Sequence, residues 1–449
     1  MGMLRLWSIV VGVIFLTRVG FGVEIVPVDE TVCDVLVVGG GSAGIPAAVQ
    51  SARLGAKTVL VEMGHQLGGT TTTAGVRYPG LFHAWGKQVI AGIGWELTQK
   101  AVELNGDKMP DFSVDHGISH WRLSIPVNPL LFSLLAEEMC VEAGVEIRYY
   151  EAPCVLERTT QRNSHWKVTT TTMGEFRTIG CREIVDCTGN GTVSKMAGGT
   201  LMREAETQPG SFFYTIDSGI DFSQVDWNDF RARYQAAIAA GTLKREDMNG
   251  GVKRFLLWPR PAGNRNYVNP ADNSTGALRT DANLRGRASV LRALRFIKSL
   301  PGGENAKLVQ VSAETGVRET FRVRGKYVIT VEDYRTGKKW PDSVAYAFYP
   351  IDIHTPAGVT PQHLENGVVP TIPYRALIVE GVEHVLVAGR CISSDRQTGS
   401  AMRVQSVCMA GGQAAGAGAA IAARANLLPE NVPMEELKKS LRESGAIVP

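Results

Sequence analysis

Residues 33–44 read CDVLVVGGGSAG, a buried-strand pattern that runs directly into a glycine-rich turn. The β-branched run at 33–38 is typical of a parallel strand that is buried on both faces. The turn matches G-x-G-x-x-G, and the Ala-rich segment after it predicts a helix that ends at Gly55. A second strand at 57–61 ends at Glu62. Strand, turn, helix, strand and acidic residue in this order predict a Rossmann-like dinucleotide-binding unit.

The residues of this unit have separate physical tasks. Gly39 permits the tight turn, Gly41 lets the backbone approach a pyrophosphate, and Gly44 allows the helix to pack closely on the strand. The free N–H groups at the helix N-terminus suit an anion. Glu62 can accept hydrogen bonds from ribose hydroxyls, which disfavours NADP because its ribose is phosphorylated. A purely structural glycine turn is the alternative interpretation.

The segments that follow favour FAD over NAD. Alternating runs at 154–159, 166–172 and 176–184 predict a three-stranded β-meander. The chain then returns in a buried strand at 183–189 that ends in glycine. Many NAD-binding units have a helical crossover at this place, whereas a meander is a feature of FAD-binding domains.

A strand and a long helix near the C-terminus support the same cofactor. Residues 384–390 predict a buried strand, and residues 398–425 predict one helix whose N-terminus can stabilise negative charge on a reduced flavin. Gly412 and Gly416 are four residues apart, a spacing also found where membrane helices pair. Arg403 and the glutamines of this segment argue against a membrane span, so we predict close packing within the domain.

Composition restricts the class of protein. A chain of 449 residues suggests about two domains, and 44% hydrophobic with 20% charged residues is typical of a soluble globular protein. The formal net charge is only +3 and no long basic run occurs, so nucleic acid is not an expected partner.

The first 22 residues predict a secretory leader. Arg5 precedes an apolar run at 6–17, and the small residues Gly20 and Gly22 follow it. This pattern predicts export to the periplasm or the medium with cleavage after Gly22. An uncleaved anchor is the alternative, although the run is shorter than the roughly 20 residues of a membrane span. No stable membrane span is expected after cleavage.

Cysteine and histidine spacings predict no metal centre. The seven cysteines lack C-x-x-C spacing and lie mostly in apolar patterns, so buried free thiols are expected rather than disulfides, zinc or iron–sulfur ligands. His116 and His120 are four residues apart, but Gly117 lies between them and no third ligand is evident.

Several motifs together resemble a known family. They are VGGGSAG (38–44), LGGT (67–70), VDCTG (185–189), ETGVRE (314–319), YPIDIH (349–354), VAGRCIS (387–393), RVQ (403–405) and GQAAG (412–416). Over residues 33–425 the chain resembles FAD-dependent oxidoreductases that include many exported bacterial proteins of unassigned substrate. It is more remotely similar to thiazole synthases, fumarate reductase flavoproteins and the flavin domain of heterodisulfide reductase. The iron–sulfur cysteines of the last group are missing here.

The resemblance implies FAD bound in an extended form between the first glycine turn and the C-terminal helix. The residues that we predict to bind FAD are Gly39, Gly41, Ser42, Ala43, Gly44, Glu62, Gly68, Gly69, Thr70, Val155, Thr188, Gly189, Gly389, Arg390, Ser400, Arg403 and Val404. The predicted fold class is α/β, with a Rossmann-like FAD-binding domain that contains a β-meander and an α+β substrate domain. The predicted divisions are 1–22 (leader), 31–200 and 371–428 (FAD-binding), 201–370 (substrate) and 429–449 (tail).

Three residues are the candidates for catalysis. His354 follows an apolar run and is the candidate acid or base, while Arg318 and Arg375 are candidates to clamp a carboxylate or polarise a carbonyl. A structural role is the alternative for each. The polar loop at 258–274 could meet an anionic substrate or be a solvated loop.

These features predict hydride transfer between a small polar metabolite, such as a sugar derivative, and flavin N5. The electron acceptor is unknown. The alternatives are a flavoprotein that only passes electrons to a partner and a binding protein without redox chemistry. No nucleophile motif supports hydrolysis.

Overall fold

The computed structural model describes residues 29–257, 264–356 and 358–449. The predicted leader at 1–22, its cleavage site and part of the polar loop at 258–274 lie outside these residues. Within the described ranges the chain forms a large α/β unit and a smaller α+β unit, which confirms the predicted fold class.

The strands are short outside the central sheet. In chain order they are β1 (Asp29–Val38), β2 (Thr58–Glu62), β3 (His83–Ala84), β4 (Lys87–Gln88), β5 (Glu146–Tyr149), β6 (Ala152–Arg158), β7 (Trp166–Thr172), β8 (Glu175–Asp186), β9 (Leu201–Met202), β10 (Gly210–Asp217), β11 (Asn264–Val268), β12 (Lys307–Val311), β13 (Arg322–Val323), β14 (Ser343–Tyr346), β15 (His354–Thr355), β16 (Gly358–Val359), β17 (Thr371–Pro373) and β18 (Val385–Val387).

The α-helices lie mostly around that sheet and in the smaller unit. They are α1 (Gly44–Arg53), α2 (Ile93–Leu104), α3 (Pro129–Glu142), α4 (Thr192–Met196), α5 (Trp227–Ala239), α6 (Gly251–Leu257), α7 (Gly276–Lys298), α8 (Val331–Arg335), α9 (Arg396–Met402), α10 (Gln405–Ala425) and α11 (Met434–Glu443).

The central sheet has the order β5-β2-β1-β8-β7-β6, with β18 also paired to β8. Strands β5, β2, β1, β8 and β18 are parallel, whereas β7 and β6 run antiparallel as the predicted meander. The third meander strand and the returning strand are one strand, β8. Its first half pairs with β7 and its last residues, 184–186, pair with β18. The carboxyl ends of β1, β8 and β18 therefore meet at one edge.

Helices α1 and α10 cross in direct contact beside this sheet. A Cβ atom on Gly412 would lie 2.1 Å from the carbonyl oxygen of Ala43, and one on Gly416 would lie 2.2 Å from that of Ala47. Helix α10 is long and apolar enough to cross a membrane by length and composition, but nearly all of it is buried in the core. Close packing of this helix, as the sequence predicted, is confirmed.

The predicted helix at 398–425 is broken into two. Helix α9 ends at Met402, and α10 begins at Gln405, because Val404 has extended backbone angles (φ −65°, ψ 147°) and is the N-cap of α10. The helix N-terminus that faces the glycine loops therefore lies at 404–405 and not at 398.

The smaller unit has its own core. The sheet β11-β10-β12 packs with α5, α6 and α7, and its buried apolar residues run from Phe212 to Ala306. Residues from Ile329 to Leu364 belong instead to the core of the larger unit. This second core therefore ends well before the predicted boundary at 370.

The polar loop predicted at 258–274 contains strand β11. Asn266 is fully buried and its side chain bonds Tyr214 Oη (2.7 Å) and Ser289 Oγ (2.8 Å), so this residue is structural. All seven cysteines are free, and six of them are buried, as predicted.

Candidate functional site

A cavity of about 1480 Å³ lies between the two units. It runs from the glycine turn after β1, past the ends of β2 and β8, to the N-terminus of α10. Parallel α/β sheets bind ligands at this edge because the helix N-termini and the loops meet there. The cavity is therefore the candidate site.

The glycine turn offers unpaired donors to one end of the cavity. The N–H groups of Gly41, Ser42 and Ala43 have no acceptor among the described residues, and all three residues line the cavity. Gly69 and Thr70 line the facing wall, where a Cβ atom on Gly69 would lie 2.9 Å from the Cα of Gly41. Unpaired N–H groups at a helix N-terminus are suited to a pyrophosphate.

Two predicted glycines support this loop from behind. A Cβ atom on Gly44 would lie 1.8 Å from the Gly39 carbonyl oxygen, so Gly44 closes the turn. Gly68 has φ +106° and donates its N–H to the Gly40 carbonyl (2.9 Å). Neither lines the cavity, so the predicted contact of Gly44 and Gly68 with FAD is corrected to a structural role.

Glu62 lies on the cavity wall at the end of β2. Its two carboxylate oxygens accept hydrogen bonds from the N–H groups of Gly40 (2.7 Å) and Gly64 (2.7 Å). Each oxygen keeps a second lone pair. The carboxylate is therefore held in place and can still accept from ribose hydroxyls.

The turn after β8 is fixed by a buried carboxylate that the sequence analysis did not single out. Asp186 accepts from Thr188 N (3.1 Å) and Oγ1 (2.7 Å) and from Ser194 N (2.8 Å). Arg390, after β18, donates to the carbonyls of Gly189 (2.8 Å) and Val317 (2.6 Å). The structure thus brings Thr188, Gly189, Gly389 and Arg390 together on the cavity wall.

The N-terminus of α10 forms the other end. Gln405 accepts from Thr71 Oγ1 (2.5 Å) and donates to the Val76 carbonyl (2.8 Å), which ties the second glycine loop to this helix. Arg403 and Val404, which we predicted to bind FAD, both line the cavity. Ser400 does not, because its Oγ is turned to the backbone N–H of Asp352 (3.0 Å). Its predicted FAD contact is corrected to support of Asp352.

Val155 lies away from the cavity. It is 39% exposed on β6, the outermost strand of the meander, where the pairing is irregular between Pro153 and Val155. The cavity reaches only Ala152 and Pro153 of this strand. The prediction that Val155 contacts FAD is corrected for that reason.

Arg375 also lies outside the cavity. It forms an ion pair with Asp342, and its guanidinium carbon lies 4.6 Å from the ring centre of Tyr327 and 5.7 Å from that of Trp340. The predicted substrate contact of Arg375 is therefore corrected to a structural role.

Replacing Arg375 by methionine is expected to reduce the free energy of unfolding by about 1–2 kcal/mol, because an ion pair and two ring contacts are lost. The FAD content should stay unchanged. Arg324→Met is the control, since Arg324 forms an exposed pair with Glu380 and should cost about 0.5 kcal/mol or less. Denaturant unfolding and flavin absorbance measure both; loss of FAD in Arg375→Met alone would contradict the structural role.

His354 lies in a chain of polar groups on the cavity wall. Its Nε2 is 3.1 Å from Asp352 Oδ2, and its Nδ1 is 3.0 Å from the Tyr267 hydroxyl. A carboxylate only accepts hydrogen bonds, so Nε2 carries the proton and Nδ1 accepts from Tyr267. Arg403 Nη2 is 3.1 Å from the same Asp352 oxygen. Asp352 and Tyr267 are thus partners that the sequence analysis missed, although Asp352 is two residues from His354.

Charge and burial keep this pair in one protonation state. Burial lowers the pKa of His354 to about 4, with the positive charges of Arg318 and Arg403 adding to the effect against the opposing bond to Asp352. Burial alone raises the pKa of Asp352, but the bond from His354 and the charges of Arg403 and Arg318 bring it below its usual value. At neutral pH the imidazole is neutral and the carboxylate charged.

Arg318 lines the cavity close to these groups. It donates to the Pro209 carbonyl and to Ser211 Oγ (2.9 Å), and its guanidinium carbon lies 5.6 Å from the Tyr267 ring centre. Two of the three candidate catalytic residues, His354 and Arg318, are therefore brought together, whereas Arg375 is not.

One group of metal-ligand types occurs among the described residues: His165, Glu183 and His384. The two imidazoles are stacked, with ring centres 3.6 Å apart and planes at 22°. A metal ion must lie near the plane of each imidazole that binds it, which two stacked rings do not allow for one ion. Glu183 Oε1 is instead hydrogen-bonded to His384 Nδ1 at 2.7 Å.

The family model described as FAD dependent oxidoreductase matches residues 34–441. The chain belongs to this family. The oxidoreductase has FAD as its cofactor, and the cavity fits it: unpaired N–H groups lie at one end, Glu62 beside them, and a second helix N-terminus at the other end. No curated protein sequence matches the chain.

Solved structures resemble the oxidoreductase only distantly. A geranylgeranyl bacteriochlorophyll reductase-like protein from Thermoplasma acidophilum is 11% identical over 92% of this chain and 83% of that one, with a TM-score of 0.43. The anhydrotetracycline hydroxylase OxyS from Streptomyces rimosus is 13% identical over 92% and 66%, with a TM-score of 0.42. THI4 from Thermovibrio ammonificans is 18% identical over 38% and 64%, with a TM-score of 0.26. These likenesses say nothing about the substrate.

Proposed function

We propose that this oxidoreductase transfers a hydride between a small polar metabolite and FAD. The observation that carries the proposal is the Asp352–His354 pair, which lies on the cavity wall beside Arg403 and the N-terminus of α10. When bound, FAD supplies N5 as the hydride acceptor. The protein has only to orient the donor carbon and to take up one proton.

Asp352 is the proton acceptor in this scheme. Its Oδ2 holds His354 and Arg403, while its Oδ1 has no hydrogen-bond partner within the described ranges. His354 is a positioning residue, because both of its ring nitrogens are engaged and it fixes the carboxylate through Nε2. The N-terminus of α10 presents its N–H dipoles to negative charge at the same end of the cavity.

The sequence-based expectation of export is part of the proposal. An exported oxidoreductase would pass its electrons to an acceptor outside the cytoplasm.

An anaerobic screen tests the function. The FAD-loaded protein is mixed with panels of alcohols, amines, sugar derivatives and hydroxy acids, and bleaching of the flavin absorbance is followed. We expect at least one compound to bleach the flavin, and more slowly in Asp352→Asn. A protein that chemical reductants bleach but no metabolite does would be an electron carrier, which contradicts the proposal.

A further inference from the structure

Three arginines converge on one wall of the cavity. Arg265 lies on β11, Arg318 lies between β12 and β13, and Arg403 lies between α9 and α10, so three separate parts of the chain bring them together. They are close enough for the charges of Arg403 and Arg265 to act on Arg318. Like charges repel, so this arrangement needs a compensating anion.

The described residues supply only one such anion. Asp352 pairs with Arg403 (3.1 Å), whereas neither Arg318 nor Arg265 forms an ion pair with any described Asp or Glu. Three guanidinium charges less one carboxylate leave a local charge of +2. His354 adds nothing, because its lowered pKa of about 4 keeps it neutral at pH 7.

The other acids on the cavity wall already have partners. Glu62 accepts from two backbone N–H groups, Glu151 accepts from Thr170 Oγ1 (2.5 Å), and Glu314 forms an ion pair with Arg279. None of these is an ion-pair partner of Arg318 or Arg265. The net positive charge of the three arginines is therefore not balanced by these acids, and it is available to an anionic ligand.

Arg318 has donors to spare. Its partners, the Pro209 carbonyl and Ser211 Oγ, are uncharged and take two of its five N–H groups. They fix the guanidinium plane, and the Tyr267 ring lies 5.6 Å from its carbon. Burial, followed by the charge of Arg403, lowers the pKa of Arg318 to about 9, and the charge of Asp352 offsets only part of this effect. A fixed planar fork of this kind is suited to a carboxylate.

We propose that Arg318 and Arg265 bind a carboxylate of the substrate, which is therefore a small organic acid. The proposal rests on the proposed function, because it names the substrate class of the same cavity. The carboxylate would be held on the wall that carries Asp352. A hydroxyl or amino group on the carbon next to it could then give its proton to Asp352, while the hydride of that carbon would go to FAD. The phosphates of FAD have their own donors at the α1 end.

The test measures binding to the oxidised, FAD-loaded protein without turnover. Matched pairs of ligands are titrated at constant ionic strength: glycolate against ethylene glycol, and acetate against acetamide, with inorganic phosphate as a further probe. Calorimetry and the change in flavin absorbance report binding. We expect each acid to bind at least about tenfold more tightly than its uncharged counterpart.

Two variants and a control locate the site. Arg318→Met and Arg265→Met should each weaken glycolate binding by about tenfold or more, and the second remains informative if the first does not fold. Arg287→Met is the control, because exposed Arg287 also donates to a neutral carbonyl, that of Ala313 (2.7 Å), but lies outside the cavity. It should bind glycolate like the unchanged protein.

Equal binding of acids and uncharged analogues would overturn the proposal. So would binding of phosphate alone, or unchanged glycolate binding in both arginine variants. Failure of the metabolite screen is a separate result, since acid binding is measured here without flavin reduction. A protein that binds glycolate through Arg318 but is bleached by nothing would keep the anion site and lose the hydride-transfer function.

Discussion

Gly412→Ala is expected to unfold the protein more easily and to weaken FAD binding by at least about tenfold. The new Cβ atom would lie 2.1 Å from the carbonyl oxygen of Ala43, far inside van der Waals contact. The carbonyl oxygen belongs to the backbone, and the new Cβ atom is bonded directly to the backbone. Neither atom can rotate away, so α1 and α10 must separate. Overpacking of this kind costs about 1–3 kcal/mol and sometimes more. Ala43 also lines the cavity, so its displacement disturbs the N–H groups that we expect to bind the pyrophosphate.

Gly411→Ala is the matched control on the same helix. Its Cβ atom would meet only Ile372 Cδ1, at 3.7 Å, which is ordinary contact. Alanine is favoured over glycine inside a helix by about 1 kcal/mol, so this variant should be neutral or more stable. Thermal unfolding of the apo and FAD-loaded forms, with FAD affinity from flavin fluorescence, measures both variants. Equal behaviour of the two would contradict the close helix crossing.

Asp352→Asn is expected to slow flavin reduction by about 100- to 1,000-fold while FAD stays bound, because general base catalysis contributes rate factors of roughly this size. Asparagine keeps an oxygen that can accept from His354 and Arg403 but takes up no proton at neutral pH. Stopped-flow reduction by the compound found in the screen measures the rate. Asp342→Asn is the control, because Asp342 forms its ion pair with Arg375 outside the cavity. The flavin of this variant should be reduced at the rate of the unchanged protein.

The pH dependence gives an independent check of the same role. The pKa of His354 is lowered to about 4 and that of Asp352 lies below its usual value, so at neutral pH the imidazole is neutral and the carboxylate is charged. The rate of flavin reduction should hold from neutral pH down to about 5 and fall as the pH approaches 4, where the pair takes up a proton. Asp352→Asn should lack this acidic decline. A decline centred near 6.5 would mean that His354 titrates as an ordinary histidine.

Local patterns in the sequence were enough to predict the FAD-binding half of the fold. Strand β1, the turn to Gly44 and the acid Glu62 lie within about 30 residues of one another, and each is constrained by backbone geometry that few residue types satisfy. The meander was predictable for a similar reason, since its alternating runs at β6, β7 and β8 are neighbours in the chain.

The part of the cavity wall that carries His354 and Arg403 was harder to predict, because its contacts join residues that are far apart in the sequence. Tyr267 reaches His354 across 87 positions, and no spacing rule connects them. The break at Val404 has no proline or glycine beside it, so helix periodicity runs through it unchanged. Arg375 resembles a site residue in sequence, and only the fold shows that Asp342, 33 positions away, occupies its guanidinium.

The crossing of α1 with α10 also bears on the order in which the parts of the FAD site form during synthesis. The glycine turn and Glu62 leave the ribosome early, whereas β18 begins only at Val385 and α10 at Gln405. A nascent chain that stops before these elements has the phosphate-facing loop but neither the strand that flanks β8 nor the helix that supports Ala43. We therefore expect stable FAD binding only after α10 has been synthesised, because Ala43 and the neighbouring N–H groups lack their supporting helix until then.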